Sequence, residues 1–327
     1  MKAKLILGAV FVCVCFGLGY ASLNRYDPGS TWGLSDTRSY VRMVNDSPDV
    51  SPKHAVRILV PLLARPIARA ATGRIGSWNP ALFALLVVNS VFVALAAVLL
   101  LTIGELTTGD RRVGLIASLI YLLTFNVTNL QLAGLVDSAE AWALVAVTWA
   151  LLARRWSLVP LIGFLGALGK ETSVPLVLVF CIAWVVTLAV QRSEERPPYW
   201  ILVALLAAQL LAVEAVHYGI TGLIAAPWKL MSSGIALSYE GQKFPLAAMI
   251  REMIYSFVWL LPLGIPRLRD LPRVWLISSA ASLLAVLALT MAVSVGENAM
   301  RPAFNVIAPM LALSAAIFLN RMLKADT

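Results

Sequence analysis

Long apolar runs are the feature that most constrains the fold of this chain. Most approach the ~20 residues that a helix needs to cross the hydrocarbon. They are continuous rather than alternating, which favours helices over barrel strands. Charged residues make up 13% of the chain, about half the share of a soluble domain. The sequence therefore predicts an all-α, polytopic membrane protein with about ten spans: Leu5–Ala21, Pro80–Ile103, Val113–Leu130, Ser138–Ala153, Trp156–Leu168, Thr172–Val190, Tyr199–His217, Pro245–Leu263, Val274–Val295 and Ala303–Asn320.

Basic residues cluster at every second connection between these runs. Since loops rich in Lys and Arg stay in the cytoplasm, this spacing predicts cytoplasmic N and C termini in the cell (inner) membrane. The basic residues behind the net charge of +9 are therefore expected to set the topology and to contact anionic lipid. No nucleic acid is expected as a partner. The clusters are Lys2/Lys4, Arg111/Arg112, Arg154/Arg155, Arg192/Arg196, Arg267/Arg269/Arg273 and Arg321/Lys324.

One long polar segment, Asp27–Ala71, interrupts the apolar sequence directly after the first run. We predict a single transmembrane domain over residues 1–327, with residues 22–78 as its first extracytoplasmic loop. From about His54 onward the segment becomes amphipathic, with arginines beside an apolar face that includes Ile58, Leu62 and Ile67. Such a pattern predicts a helix in the membrane interface.

The loop carries several residues with two plausible roles each. Asp36 suits a general base, or a solvated acid or N-cap of a helix at 37–44. Arg38, Arg42 and Arg57 suit phosphate, which their planar guanidinium groups bind through paired hydrogen bonds, or lipid headgroups. Tyr40 suits stacking on a sugar ring or anchoring at the interface.

Further polar residues lie at the predicted outer ends of later spans. Asp137 and Glu140 share a helix face. They suit either functional acids or an N-terminal capping box. Lys170 and Glu171 suit neutralisation of a leaving phosphate, or a hairpin turn in which the lysine snorkels and the glutamate caps the next helix.

Two more residues complete the predicted outer set. His217 shares a helix face with Glu214. The two residues suit either a proton relay or a satisfied polar pair between helices. Arg301 suits either phosphate binding or an ion pair with Glu297. The sequence contains no Walker motif, no GxGxxG and no metal-ligand spacing, so neither a cofactor nor a metal is expected.

Three stretches resemble the GT-C superfamily of integral membrane glycosyltransferases, in the form of a short bacterial-type member. The acid of SDTRSY (Asp36) follows the first span, AVRILVPLLAR resembles an R-x-L-x-P stretch, and GKET, with Lys170–Thr172, resembles a KE motif between central spans. The resemblance implies that Asp36 is the catalytic base of an inverting hexosyl transfer. The family often has an adjacent acidic pair at this position, whereas Thr37 follows Asp36 here.

The resemblance also implies the substrates. The donor would be a polyprenyl-phosphate-linked sugar among the membrane lipids, and the acceptor a glycan or lipid of the cell envelope. Arg38, Arg57, Lys170 and Arg301 would hold the donor phosphate. The alternatives are a transporter or flippase of lipid-linked sugars, and a non-catalytic subunit of a polysaccharide assembly. Convergence of Asp36 with Asp137, Lys170 and Arg301 in one outward-facing cavity would favour the enzyme.

Overall fold

The computed structural model describes residues 2–25, 35–47, 49–50, 52–224, 246–293 and 300–325. Asp27 and Glu297, the alternative partner predicted for Arg301, lie outside these residues. The described part contains α-helices, one π-helical turn at Val127–Gln131, and 3₁₀ turns at Trp156–Leu158 and Ile265–Asp270. The α-helices are α1 Lys2–Asn24, α2 Ser35–Val44, α3 Pro52–Ala55, α4 Leu59–Ala71, α5 Pro80–Thr108, α6 Arg111–Leu122, α7 Asp137–Leu152, α8 Val159–Gly169, α9 Ser173–Val190, α10 Trp200–Thr221, α11 Leu246–Phe257, α12 Leu261–Gly264, α13 Arg273–Val293 and α14 Met300–Ala325.

Five of these helices are long and apolar enough to cross a membrane: α1, α5, α9, α10 and α14. Two shorter apolar helical stretches occur at Trp156–Gly169 and Arg273–Ala288. The chain is thus a helical membrane protein, as the sequence predicts. The count of ten spans is not confirmed.

Two of the predicted spans are interrupted for identifiable reasons. The apolar run Val113–Leu130 yields a helix that ends at Leu122, where Thr124 Oγ1 donates to the carbonyl of Tyr121 at 2.8 Å. In the run Pro245–Leu263, three turn residues separate α11 from α12 just before Pro262. Proline has no N–H for the helical ladder, and its ring clashes with the preceding turn. Hydropathy alone does not register either break.

Helix α5 lies at the centre of the bundle, in contact with α1, α4, α6 and α7. Asn79 caps it by accepting from the N–H of Ala81 at 2.9 Å, and Gly109 ends it in the left-handed conformation at φ +69°. Gly104 and Gly114 bring α5 and α6 together. A Cβ on Gly104 would lie 2.4 Å from the Cα of Gly114, so the two backbones touch.

Helices α2 and α4 pack across one end of this bundle. Val60, Ala64 and Ala68 are buried on α4, whereas Leu62 and Leu63 on its other side are exposed. The predicted interfacial helix thus begins at Leu59, and its position relative to a membrane stays a prediction. Arg65 Nη1 and Arg69 Nη2 bind the two carboxylate oxygens of Asp46 at 2.6 and 2.9 Å, which fixes the end of α2 to α4.

The two ends of the bundle differ in character. Lys4 pairs with Glu105 at 2.6 Å and Lys324 with Asp110 at 3.0 Å, so predicted cytoplasmic bases gather at the C-terminal end of α14. Arg301 lies at the other end of the same helix, about 35 Å from Lys324 at 1.5 Å per residue. The structure therefore separates the predicted cytoplasmic bases from the predicted outer residues. Which end faces the cytosol stays a prediction.

Candidate functional site

Five segments bring charged side chains together at the Arg301 end of the bundle. They are the start of α2, helix α3 with the connection to α4, the start of α7, the α8–α9 connection and the start of α14. We call the following residues the charge cluster: Asp36, His54, Arg57, Asp137, Glu140, Lys170, Glu171 and Arg301.

Asp137 and Glu140 occupy the first turn of α7 and are 2% and 0% exposed. Neither caps the helix, because the N-cap residue is Val136 and no side chain bonds there. The capping box that the sequence allowed is therefore absent from α7. Both carboxylates instead face Lys170, whose Nζ lies 2.6 Å from Asp137 Oδ1 and 3.5 Å from Glu140 Oε2.

Glu140 also connects the cluster to a polar chain that runs into the bundle. One carboxylate oxygen accepts from the hydroxyl of Thr172, and the other accepts from Asn305 Nδ2 at 2.9 Å. Asn305 Oδ1 accepts from Gln131 Nε2 at 3.2 Å, and Gln131 Oε1 accepts from the hydroxyl of Tyr121 at 3.1 Å. A buried polar network costs free energy unless its members are paired, and these pairings hold Glu140 in one orientation.

Arg301 links the loop to the bundle. Its Nη1 lies 3.4 Å from Asp36 Oδ2 and 3.9 Å from Asp137 Oδ2. The other oxygen of Asp36 lies 3.2 Å from Nε2 of the buried His54. Asp36, Asp137, Lys170 and Arg301, four residues proposed from the sequence for the same site, therefore form one continuous set of contacts.

Arg57 is buried between Glu171 and Tyr40. Its Nε donates to Glu171 Oε2 at 2.8 Å, and a second guanidinium nitrogen donates to the other oxygen. Its Nη1 donates to the hydroxyl of Tyr40 at 2.9 Å. The ring of Tyr40 is 1% exposed and packs edge-on to His54, with 5.5 Å between ring centroids. Tyr40 therefore holds Arg57 through a hydrogen bond and His54 through a ring contact.

The surroundings of each group decide its charge. Burial alone would raise the pKa of Asp36, but the contact with His54 and the charges of Arg301 and Arg57 hold that pKa well below its ordinary range. Burial alone would lower the pKa of Lys170, but Asp137 and Glu140 raise it above its usual value. Burial opposes ionisation of Glu171 as well, yet Arg57 lowers its pKa. All three groups are consequently charged near neutral pH.

Three predicted residues lie outside these contacts, and one of them is Arg42, whose Nη1 lies 3.0 Å from Asp49 Oδ2. Arg38 is half-buried on α2 and forms no ion pair with any residue in the described ranges. His217 lies on α10, which packs against α8 and α9, and among the described residues its side chain forms no hydrogen bond or ion pair with the charge cluster.

Sequence reasoning missed three contributors: His54, Thr172 and Asn305. His54 is one of two histidines in the chain and lies in the same polar segment as Asp36. A rare histidine in the same segment as Asp36 is the sequence signal that could have placed His54 at the site. Thr172 directly follows the KE pair, and Asn305 lies one helical turn after Arg301.

No protein-family model and no curated protein sequence matches the chain. Solved structures do match it. The oligosaccharyltransferase AglB from Archaeoglobus fulgidus, in complex with an inhibitory peptide and a dolichol-phosphate, superposes with a TM-score of 0.57 at 12% identity, over 99% of this chain and 52% of the other. The chain therefore shares its fold with part of this oligosaccharyltransferase.

Two further structures of the Archaeoglobus fulgidus oligosaccharyltransferase agree with this assignment. The apo form gives a TM-score of 0.54 at 13% identity, over 99% of this chain and 52% of the other. The complex with zinc and sulfate gives 0.50 at 14% identity, over 98% and 49%. The chain thus spans about half the length of these oligosaccharyltransferases. At such identities the likeness establishes the fold, so activity has to be argued from the residues.

Proposed function

We propose that the chain is an integral membrane glycosyltransferase acting on the outer face of the cell (inner) membrane. It moves a sugar from a polyprenyl-phosphate-linked donor to a glycan or lipid acceptor of the envelope. The observation that carries the proposal is the contact set joining Asp36, Asp137, Lys170 and Arg301 at one end of the bundle. A GT-C-like neighbour that binds a dolichol-phosphate supports the lipid-linked class of donor.

Arg301 is the group we assign to the donor phosphate. Its side chain is 13% exposed, against 6% for Lys170, so it lies at the more open side of the cluster. A guanidinium has five N–H donors, and the contacts with Asp36 and Asp137 engage one nitrogen, Nη1. Arg38 follows Asp36 by two residues on α2 and lies on a different face of that helix, so it is not assigned to the phosphate. Arg57, held by Glu171 and Tyr40, anchors the loop instead.

Asp36 is the group we assign to the acceptor hydroxyl. With Arg301 and His54 beside it, the carboxylate is ionised but is a weak base. A donor phosphate bound to Arg301 brings negative charge close to Asp36 and offsets the charge of Arg301. Both effects raise the pKa of Asp36, because a nearby like charge disfavours the ionised form. Donor binding therefore prepares Asp36 to accept the proton as the acceptor oxygen attacks the anomeric carbon and the phosphate leaves.

The test is sugar transfer in proteoliposomes loaded with polyprenyl-phosphate-linked sugars. Asp36→Asn removes the base and keeps the shape, so transfer should fall by a factor of about 10² to 10⁴. Asp46→Asn is the matched control, because Asp46 lies in the same loop and contacts Arg65 and Arg69 rather than the cluster. Full transfer by Asp36→Asn would contradict the role. Donor translocation without transfer would favour the flippase alternative.

A further inference from the structure

Three carboxylates of the charge cluster, those of Asp36, Asp137 and Glu140, are joined through Arg301 and Lys170. Oxygen-rich acidic groups are what hard divalent cations select in proteins, and one structure with the same fold holds zinc. The contacts that each carboxylate oxygen makes decide whether these acids fit a metal ion.

Each of the six oxygens already contacts a protein cation or hydrogen-bond donor. Those of Asp36 contact His54 and Arg301, and those of Asp137 contact Lys170 and Arg301. The oxygens of Glu140 accept from the Thr172 hydroxyl and from Asn305 Nδ2, with Lys170 Nζ 3.5 Å from the second. Within the described ranges, no three His, Cys, Asp or Glu side chains are arranged to hold a metal ion.

Lys170 is the group that a metal ion would have to displace. Lys170 is 5% exposed, and its ammonium lies 2.6 Å from Asp137 Oδ1 and 3.5 Å from Glu140 Oε2. A divalent ion at the same oxygens would face this charge and that of Arg301 at short range, where the effective dielectric constant is low. The donor set therefore does not fit a resident metal ion while Lys170 is in place.

We infer that Lys170, together with Arg301, is a built-in cation that stands in place of a divalent metal ion at this site. Lys170 is a positioning residue: it holds the carboxylates of Asp137 and Glu140 in place through its ammonium group, and Asp137 in turn orients Arg301. The inference extends the proposed function, on which its catalytic side rests, to a transfer that takes a phosphate-linked donor without divalent metal. The absence of metal binding can be measured without any activity.

Thermal unfolding of the purified full chain in detergent provides that measurement. Wild type in EDTA and wild type in millimolar Mg²⁺, Mn²⁺ or Zn²⁺ should have the same Tm. A micromolar site would raise the Tm by several degrees at such an excess of ligand. Lys170→Ala opens space beside two carboxylates, so this variant should gain stabilisation by Mn²⁺. Lys4→Ala, which breaks the equally short pair with Glu105 at the opposite end, is the control and should gain none.

Arg301→Ala is the second variant if Lys170→Ala does not fold, and it should gain a smaller Mn²⁺ response through Asp36 and Asp137. The inference is overturned if wild type shows a metal-dependent Tm that Asp137→Asn abolishes. It is also overturned if neither cation-deleted variant responds to metal. Transfer that requires Mn²⁺ would refute the inference and leave the proposed function intact. Absence of transfer, with a metal-insensitive wild-type Tm, would refute the proposed function instead.

Discussion

Replacing Arg57 by leucine tests how firmly the loop between α1 and α5 is fixed to the bundle. The Arg57 side chain is 9% exposed and that of Glu171 is 23% exposed. Deleting one partner of a buried pair costs about 3–5 kcal/mol, because the other charge stays behind. The partial exposure of Glu171 moves the estimate to the lower end, while the unpaired Tyr40 hydroxyl adds about 1 kcal/mol. We therefore expect Arg57→Leu to lose about 3–4 kcal/mol of unfolding free energy.

A double-mutant cycle in mixed micelles, with unfolding driven by SDS, isolates the pair. Arg57→Leu combined with Glu171→Leu should be less destabilised than the sum of the single variants, with a coupling of about 2 kcal/mol. Arg65→Leu is the comparison, because its pair with Asp46 is 33% and 46% exposed and should contribute about 1 kcal/mol or less. The reasoning is refuted if the coupling is zero, or if Arg57→Leu is as mild as Arg65→Leu.

Two further predictions concern pH and packing. Glu171 has a lowered pKa in the folded state, so the stability it contributes is present above the ordinary glutamate pKa of about 4.3 and is lost as the pH falls below that value. The Tm difference between wild type and Glu171→Gln should therefore shrink on acidification from pH 7. A constant Tm difference would contradict this prediction. Gly104→Val places side-chain atoms against the backbone of Gly114 and should cost about 3 kcal/mol or more, whereas Gly17→Ala, with open space around it, should be near neutral in the same unfolding assay.

Most of the outer set could be proposed from sequence because its members lie at the ends of apolar runs. Asp137, Lys170 and Arg301 each stand where a charge is expensive unless it is paired, whereas Asp36 was proposed from its place in the one long polar segment. Their partners could not be derived, since the contacts join positions as far apart as Asp36 and Arg301, 265 residues away in the chain. Local spacing favoured a cap for Asp137, yet long-range pairing with Lys170 determined its orientation.

The helical membrane class followed from run length, but the helix bounds did not. An apolar run has the same hydropathy whether it forms one helix or two. Hydropathy therefore assigns Thr124 and Pro262 to membrane spans, although a helix ends near each of them. Helix α7 has 16 residues and α8 has 11. The start of α7 and the end of α8 lie at polar residues of the charge cluster, whose contacts are long-range and are not contained in hydropathy.

Sidedness is the central claim, because a lipid-linked donor on the outer face can react only if the charge cluster faces away from the cytosol. The direct measurement uses a chain in which Cys13, Cys15 and Cys181 are replaced, with a single cysteine introduced as Asp49→Cys or Lys324→Cys. Both native side chains are solvent-exposed, at 84% and 59%. A membrane-impermeant maleimide on intact cells should label Asp49→Cys at once and Lys324→Cys only after permeabilisation. The reverse pattern would place the cluster in the cytosol and contradict the account.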